Sequence, residues 1–152
     1  MSAYPTLVSA IEVTVGSDAV LAVEGVDGGG WLGVKAPPTL QFCVAELRSR
    51  GCDSFDVSSF DGCVAITDDG GCSYETKATN AAAAGAVGIL VVADDEILSV
   101  MGCKTCQRLQ LFGSMISRSD GDRLRRVVDA DSSARIMCVR ARGHSLPQLT
   151  RS

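Results

Sequence analysis

The sequence predicts an α+β fold: a β-rich, partly closed barrel or sandwich with a βαβ crossover and two or three flanking helices. Three observations carry this expectation. Short runs rich in Val, Ile and Thr recur from Leu7 to Val139, with glycine-containing turns between them. Only two stretches have the caps and spacing of convincing helices. And one stretch, Gly62 to Asp94, reads as strand, tight turn, helix, glycine break and strand, a crossover of about thirty residues. Strands that outnumber helices in this way do not make a doubly wound sheet.

In chain order, Leu7 to Val15 alternates loosely and is a strand, Gly16-Ser17-Asp18 turns it, and Ala19 to Val23 is a second strand. Asp27-Gly28-Gly29-Gly30 is another turn, followed by a short strand at Trp31-Leu32-Gly33-Val34. The glycines at 28–30 lack the Gly-Lys-Ser/Thr of a phosphate loop, so a flexible turn is expected there. Pro37-Pro38 breaks regular structure, Leu40 to Ser49 has only weak periodicity, and Arg50-Gly51-Cys52-Asp53 reads as loop.

The crossover follows. Val64 to Ile66 is apolar and β-branched, Asp69-Gly70-Gly71 signals a turn, and Ser73 caps a helix with Glu75 in its first turn. Tyr74, Ala78, Ala81, Ala82 and Gly85 fall on one helical face of small residues, which allows a close approach to whatever it covers. Gly85 is placed to end the helix in the left-handed region, and Val87 to Val92 is a strand buried on both faces.

After the acidic run Asp94-Asp95-Glu96, Ile97, Leu98, Val100 and Met101 make one helical turn, and Gly102 to Cys106 is a loop. Leu109 to Ile116 is a strand. Ser119 caps a second helix with Asp122 three residues on, and Leu124, Val127 and Val128 form its buried stripe. Ala134 to Val139 is the last strand. One domain over residues 1–142 is expected, with 143–152 a flexible tail.

Composition narrows the function classes. A chain of 152 residues with 46% hydrophobic and 21% charged side chains is neither disordered nor membrane-like. A net charge of −4 argues against a nucleic-acid footprint, and Arg123, Arg125, Arg126, Arg135, Arg140 and Arg142 read as a solvated helix face and strand edge. No apolar run is long enough to span a membrane, so no direct membrane insertion is expected. Seven cysteines suggest an oxidising compartment, and the odd count leaves at least one over. Cys43, Cys52, Cys63, Cys72, Cys103, Cys106 and Cys138 are all candidates for structural disulfides, with the pairing open. Met1-Ser2-Ala3-Tyr4-Pro5 has no basic n-region and Glu12 interrupts the next apolar stretch, which is not a signal peptide. A segment of a longer secretory-pathway protein reconciles these two signals. A cytosolic interaction domain with reduced thiols is the alternative if Met1 is the native start.

Few residues invite chemistry. His144, the only histidine, sits in the expected tail without a supporting partner. Ser114 follows a glycine but lacks the second glycine of a nucleophile elbow. Asp68-Asp69 and Asp94-Asp95-Glu96 flank the crossover; adjacent acids in turns are ordinarily solvated, and their spacing is not that of an EF-hand. Cys103-Lys104-Thr105-Cys106 has the C-x-x-C spacing of a thiol oxidoreductase or half a zinc site. It follows a glycine rather than opening a helix, and no second pair at that spacing completes a zinc ribbon. Redox or metal binding at Cys103 and Cys106 is therefore the alternative to structural disulfides.

The crossover residues also resemble a known family. Asp69-Gly70-Gly71-Cys72-Ser73-Tyr74-Glu75-Thr76-Lys77, then Asn80-Ala81-Ala82-Ala83-Ala84-Gly85-Ala86, then Ile89-Leu90-Val91-Val92 resemble the R-G-x-C-x-F-x-x-K, N-A-x-x-A-G-A and apolar-strand pattern of protease-associated (PA) domains. Leu111 to Asp120 followed by Gly121 is similar to the family's later strand and I-S-x-x-D-G helix start. The likeness is good from Gly62 to Val139 and vague before Phe42. Asp69 stands where the family has arginine, which inverts the charge at the turn, and Tyr74 where it has phenylalanine. Glu96 to Cys103 is similar to the D-E-L-Y-K-M-V-C segment of PA domains in signal-peptide-peptidase-like intramembrane aspartyl proteases.

The resemblance implies a β-rich barrel flanked by helices, a luminal or extracellular setting, no cofactor and no catalysis. It implies a module that binds proteins or peptides, recruits substrate or controls access for an attached protease or sorting receptor. Binding is expected at loops on one end of the barrel: Asp68, Asp69, Gly70, Gly71 and Tyr74, then Asp94, Asp95 and Glu96 on toward Val100, with the glycine turn at 28–30.

Overall fold

The computed structural model describes residues 8–27, 42–46, 50–53, 61–96 and 111–140. In these segments the chain forms β1 (Val8–Val15), β2 (Asp18–Asp27), β3 (Phe42–Glu46), β4 (Cys63–Asp68), α1 (Tyr74–Ala83), β5 (Gly88–Val92), β6 (Phe112–Ile116), α2 (Arg118–Ala130) and β7 (Arg135–Arg140).

Strand pairing runs round a ring in the order β1-β2-β6-β5-β4-β3-β7 and back to β1. β3, β4, β5 and β6 are parallel neighbours, whereas β1, β2 and β7 join by antiparallel pairing. Two joints are short. β2 meets β6 only at Val26↔Met115 and Asp27↔Ser114, and β3 meets β7 only at Phe42↔Ile136 and Cys43↔Arg135. The ring is therefore a barrel with two thin seams, and the β-rich α+β fold expected from sequence is the fold observed.

Alternation along each parallel strand sorts side chains between two cores. Val64 and Ile66 of β4, Leu90 and Val92 of β5 and Ile116 of β6 point inward with Ile11, Val13, Val23 and Ile136. Ala65, Ile89, Val91 and Met115 point outward, where Ala78, Ala81 and Ala84 cover them. Both faces of β5 are thus buried, as its unbroken aliphatic run requires.

α1 covers the outer core because its contact face is nearly all alanine. Ala78 and Ala81 are fully buried, and Tyr74 and Ala82 pack at the edge of the same cluster. Ser73 is the N-cap, accepting from the Thr76 amide, as its sequence context predicts. At the other end Ala86 N–H donates to Ala81 O and Gly85 N–H to Ala82 O, both at 3.0 Å. That pair of bonds is a Schellman cap, and it requires the positive φ of 90° that Gly85 adopts.

α2 packs against β2, β3 and β5 and sends Leu124 into the inner core. Its cap differs from the sequence expectation: Ser117, not Ser119, accepts from the Asp120 amide. Starting two residues earlier sets Gly121 directly on Val92, where a β-carbon would stand 2.3 Å from Val92 Cγ1. Leu124 is fully buried, while Val127 and Val128 pack at the margin. β3 lies inside the stretch of weak periodicity at Leu40 to Ser49 and was not expected, and β2 runs four residues beyond Val23. The strand expected at Trp31 to Val34, the helical turn at Ile97 to Met101, the Cys103 and Cys106 loop, and His144 with the tail lie outside the described residues.

Candidate functional site

The parallel strands β4 and β5 end together, and the acidic loops singled out in the sequence leave the barrel from that common end. Asp69 N–H donates to Val92 O at 3.0 Å, carrying the β4–β5 pairing one step past the strand before the chain turns through Gly70 and Gly71. Asp68, Asp69, Gly70, Gly71, Tyr74, Asp94, Asp95 and Glu96 are all described, and the structure brings them to this end of the fold.

Their side chains have different surroundings. Asp68 accepts from Arg125 Nη1 of α2 at 2.8 Å, a half-buried ion pair. Asp69 accepts from the Gly70 amide at 2.8 Å. The Tyr74 phenol is pushed above its ordinary pKa of 10.0, by burial first, then by the charge of Asp69, its hydrogen bond to Asp69 and the charge of Asp94. Asp94 and Asp95 are exposed, and Asp95 O accepts from the Arg118 amide at 2.9 Å. Glu96 accepts from both the amide and the hydroxyl of Ser119, which holds its carboxyl below the usual 4.5. Asp95, Glu96 and Ser117 together satisfy the first three free amides of α2.

The centre of the arrangement is Lys77. Its side chain is fully buried, and Nζ donates to three main-chain carbonyls, those of Arg50, Asp68 at 3.0 Å and Gly70 at 2.7 Å. Three carbonyls match the three donors of an ammonium group. Burial lowers its pKa below the ordinary 10.5, with Asp69 pulling the other way and Arg50 adding to the fall. One turn on, Asn80 Nδ2 donates to Gly51 O at 2.9 Å. The side chain of Arg50 lies across the turn, with Cδ only 2.8 Å from where a Gly71 β-carbon would be. Only glycine fits there, and it also meets the positive φ of 83°. A positive side chain therefore stands beside the turn although Asp69 holds the position where the resembling family has arginine.

Two disulfides fix the same region, Cys43–Cys63 and Cys52–Cys72. Cys43 and Cys63 are register partners on adjacent parallel strands. Nine residues further on, each chain has left the sheet at the same end, so Cys52 and Cys72 meet as well. Equal spacing within the two halves was the signal for this pairing, and it is legible only once β3 is known to run parallel to β4. Cys138 lies in β7. Lys77, Arg50 and Asn80 were not among the site residues expected from sequence, and Ser119 was expected only as a helix cap. Among the described residues no group of His, Cys, Asp and Glu side chains is placed to hold a metal ion.

The sequence pattern of the PA domain matches residues 34–124. This chain belongs to the PA-domain family. The matched region holds both disulfides, α1 with Lys77 and the start of α2, while β1, β2 and β7 of the ring lie outside it. The PA domain here is 34% identical over 115 residues to Signal peptide peptidase-like 3 of Arabidopsis thaliana, an alignment that takes in 67% of this chain and 21% of that protein. The chain thus spans about a fifth of that relative.

Among solved structures the fold is similar to a Peptidase M28 precursor from Shewanella amazonensis, with TM-score 0.65 and 16% identity, over 92% of this chain and 36% of that one. It is also similar to the aminopeptidase of Aneurinibacillus sp. strain AM-1, with TM-score 0.58 and 16% identity, over 91% and 34%. A zinc aminopeptidase of Bacillus subtilis gives TM-score 0.59 and 17% identity, over 90% and 31%. At that identity the likeness is one of fold. In each case this PA domain covers about a third of the neighbour.

Proposed function

We propose that this PA domain is a non-catalytic module that engages protein or peptide partners on behalf of an attached protease, at the barrel end formed by the 68–74 and 94–96 loops. The observation that carries the reading is the contrast within those loops. Lys77, the Cys52–Cys72 bridge and the cap on α2 hold the backbone in place, while Asp94 and Asp95 are exposed acidic residues on that frame. Rigid scaffold with exposed polar loops is the arrangement used for recognition. Lys77 is buried on carbonyls, Asp68 pairs with Arg125, Asp69 accepts from the Gly70 amide and Glu96 from Ser119, which suits binding better than proton or acyl transfer.

Two disulfides and a signal-peptide-peptidase-like relative support an oxidising compartment, and we place the domain on the luminal or extracellular side. The share of the relatives that it spans supports a module within a larger protease-related protein. Residues 1–142 as one folding unit belong to the same proposal.

The test is a peptide-library binding screen with the purified chain, followed by mass spectrometry of every bound peptide. Binding without cleavage is expected, weakened at least tenfold by Asp94→Ala with Asp95→Ala at unchanged thermal stability. Peptide hydrolysis by the chain, or affinity indifferent to both substitutions, contradicts the proposal.

A further inference from the structure

The two disulfides are not equivalent. Cys43–Cys63 links register partners inside the barrel wall, where Cys63 is 8% exposed and flanked by strand pairing on β4. Cys52–Cys72 links one loop to another outside the sheet, and both of its cysteines are half-exposed. Cys43 is half-exposed as well, but its partner sulfur is on buried Cys63 within the strand pairing, so a thiolate meets the second pair more readily than the first.

What the second bridge holds in place is specific. The 50–53 segment is irregular, and its attachments to the rest of the described fold include four that bear on Lys77 and its turn. These are the disulfide itself, Arg50 O to Lys77, Gly51 O to Asn80, and the Arg50 side chain packed on Gly71. Lys77 takes one of its three acceptors from this segment and the other two from β4 and its turn. A buried ammonium tolerates burial only while its donors are matched. Removing the segment leaves Nζ with one proton unmatched at the protein surface, and a four-carbon stem long enough to carry it into water.

We propose that Cys52–Cys72 is a reducible latch: opening it releases the 50–53 segment and brings Lys77 out of the fold, while the Cys43–Cys63 bridge keeps the barrel closed. The reductant is a dithiol. One of its thiolates attacks a sulfur of the bridge, forming a mixed disulfide and releasing the other cysteine as a thiolate. Its second thiol then displaces the remaining cysteine. Two electrons pass from the dithiol to the bridge, the dithiol ends as a disulfide, and its two protons end on Cys52 and Cys72. The consequence is a change of shape and charge at the barrel end in response to thiol reductant. Lys77, inert in the oxidised protein, becomes an accessible amine beside Asp68, Asp69 and Asp94. This inference does not rest on the partner-binding reading, since its readout is the chemistry of Lys77.

The experiment titrates the oxidised chain with dithiothreitol, alkylates free thiols, and acetylates amines with a water-soluble succinimidyl ester. Peptide mapping then reports Cys52, Cys72, Cys43, Cys63 and Lys77 separately, with Lys35 and Lys104 as internal references. The expected result is alkylation of Cys52 and Cys72 ahead of Cys43 and Cys63, with a tenfold or greater rise in Lys77 acetylation and an unchanged far-UV spectrum. Lys77 remaining protected after Cys52 and Cys72 are alkylated overturns the proposal, as does simultaneous opening of both bridges with loss of the fold. The double variant Cys52→Ser with Cys72→Ser gives the same readout without reductant. It should be folded with Lys77 reactive, and a double variant that fails to fold, or folds with Lys77 protected, contradicts the latch.

Discussion

Lys77 of α1 donates a hydrogen bond to the main-chain carbonyl of Arg50, 27 residues earlier in the chain. With Asp68 O and Gly70 O this makes three acceptors for one fully buried ammonium. A single side chain thereby ties together the loop after β3, the end of β4 and the first helix. Lys77→Met keeps the stem and deletes the donors, leaving three carbonyls to be satisfied. At about 1–3 kcal/mol for each buried group left unpaired, offset in part by relief of ammonium desolvation, a net loss of about 2–4 kcal/mol is expected. Urea unfolding of the oxidised protein measures it.

The contact between Gly121 and Val92 sets how closely α2 lies on β5. An alanine β-carbon at 121 would meet Val92 Cγ1 at 2.3 Å and Cγ2 at 2.8 Å. Gly121→Ala should destabilise by about 1–3 kcal/mol, the usual cost of overpacking. The cost should shrink in a Val92→Ala background, and a double-mutant cycle by chemical denaturation reads that coupling.

Tyr74 should ionise late. Burial and then Asp69 raise its phenol above 10.0, so Tyr74 contributes stability below pH 10.0 that is lost as pH rises through the folded value. Lys77 has the opposite sign, because its lowered pKa makes stability rise with pH up to the unfolded 10.5. Ultraviolet titration of a Tyr4→Phe variant follows the Tyr74 phenolate alone. Asp69→Asn should move that titration back toward the ordinary value, and Lys77→Met should remove the rising limb of stability.

Glu96 closes the N-terminus of α2. Its carboxyl is held below 4.5 by the hydroxyl and amide of Ser119, so its contribution is present above pH 4.5 and is lost as pH falls through the lowered value. Glu96→Gln should lower the thermal midpoint at neutral pH and leave it nearly unchanged in acid, which a series of melts across that range checks.

Local signals in the sequence located what local chemistry determines. The alanine face, the Ser73 cap, the Gly85 stop and the doubly buried β5 each depend on residues a few positions apart, and each is where the sequence puts it. β3 was missed because Phe42 to Glu46 has no clean alternation of its own; it is a strand because β4 beside it offers a parallel edge and Cys43 bonds Cys63. For α2, Ser117 and Ser119 each have an aspartate three residues on, so both fit a cap. The choice is made by Glu96, which takes the Ser119 amide, and by Val92, which admits only Gly121. At the candidate site the acidic residues were legible as a group. Their partners Ser119 and Arg125 are 23 and 57 residues away in sequence and become visible only in the fold.

The claim that the barrel end is a recognition surface is tested most directly by nuclear magnetic resonance. The ¹⁵N-labelled chain is titrated with a peptide that binds it, and the amide shifts are mapped. Shifts concentrated at Asp69 to Tyr74 and Asp94 to Glu96, with the peptide intact at the end of the titration, are the predicted result. Shifts confined to the β1–β2 hairpin or the outer face of α2, or a peptide found cleaved, would contradict it.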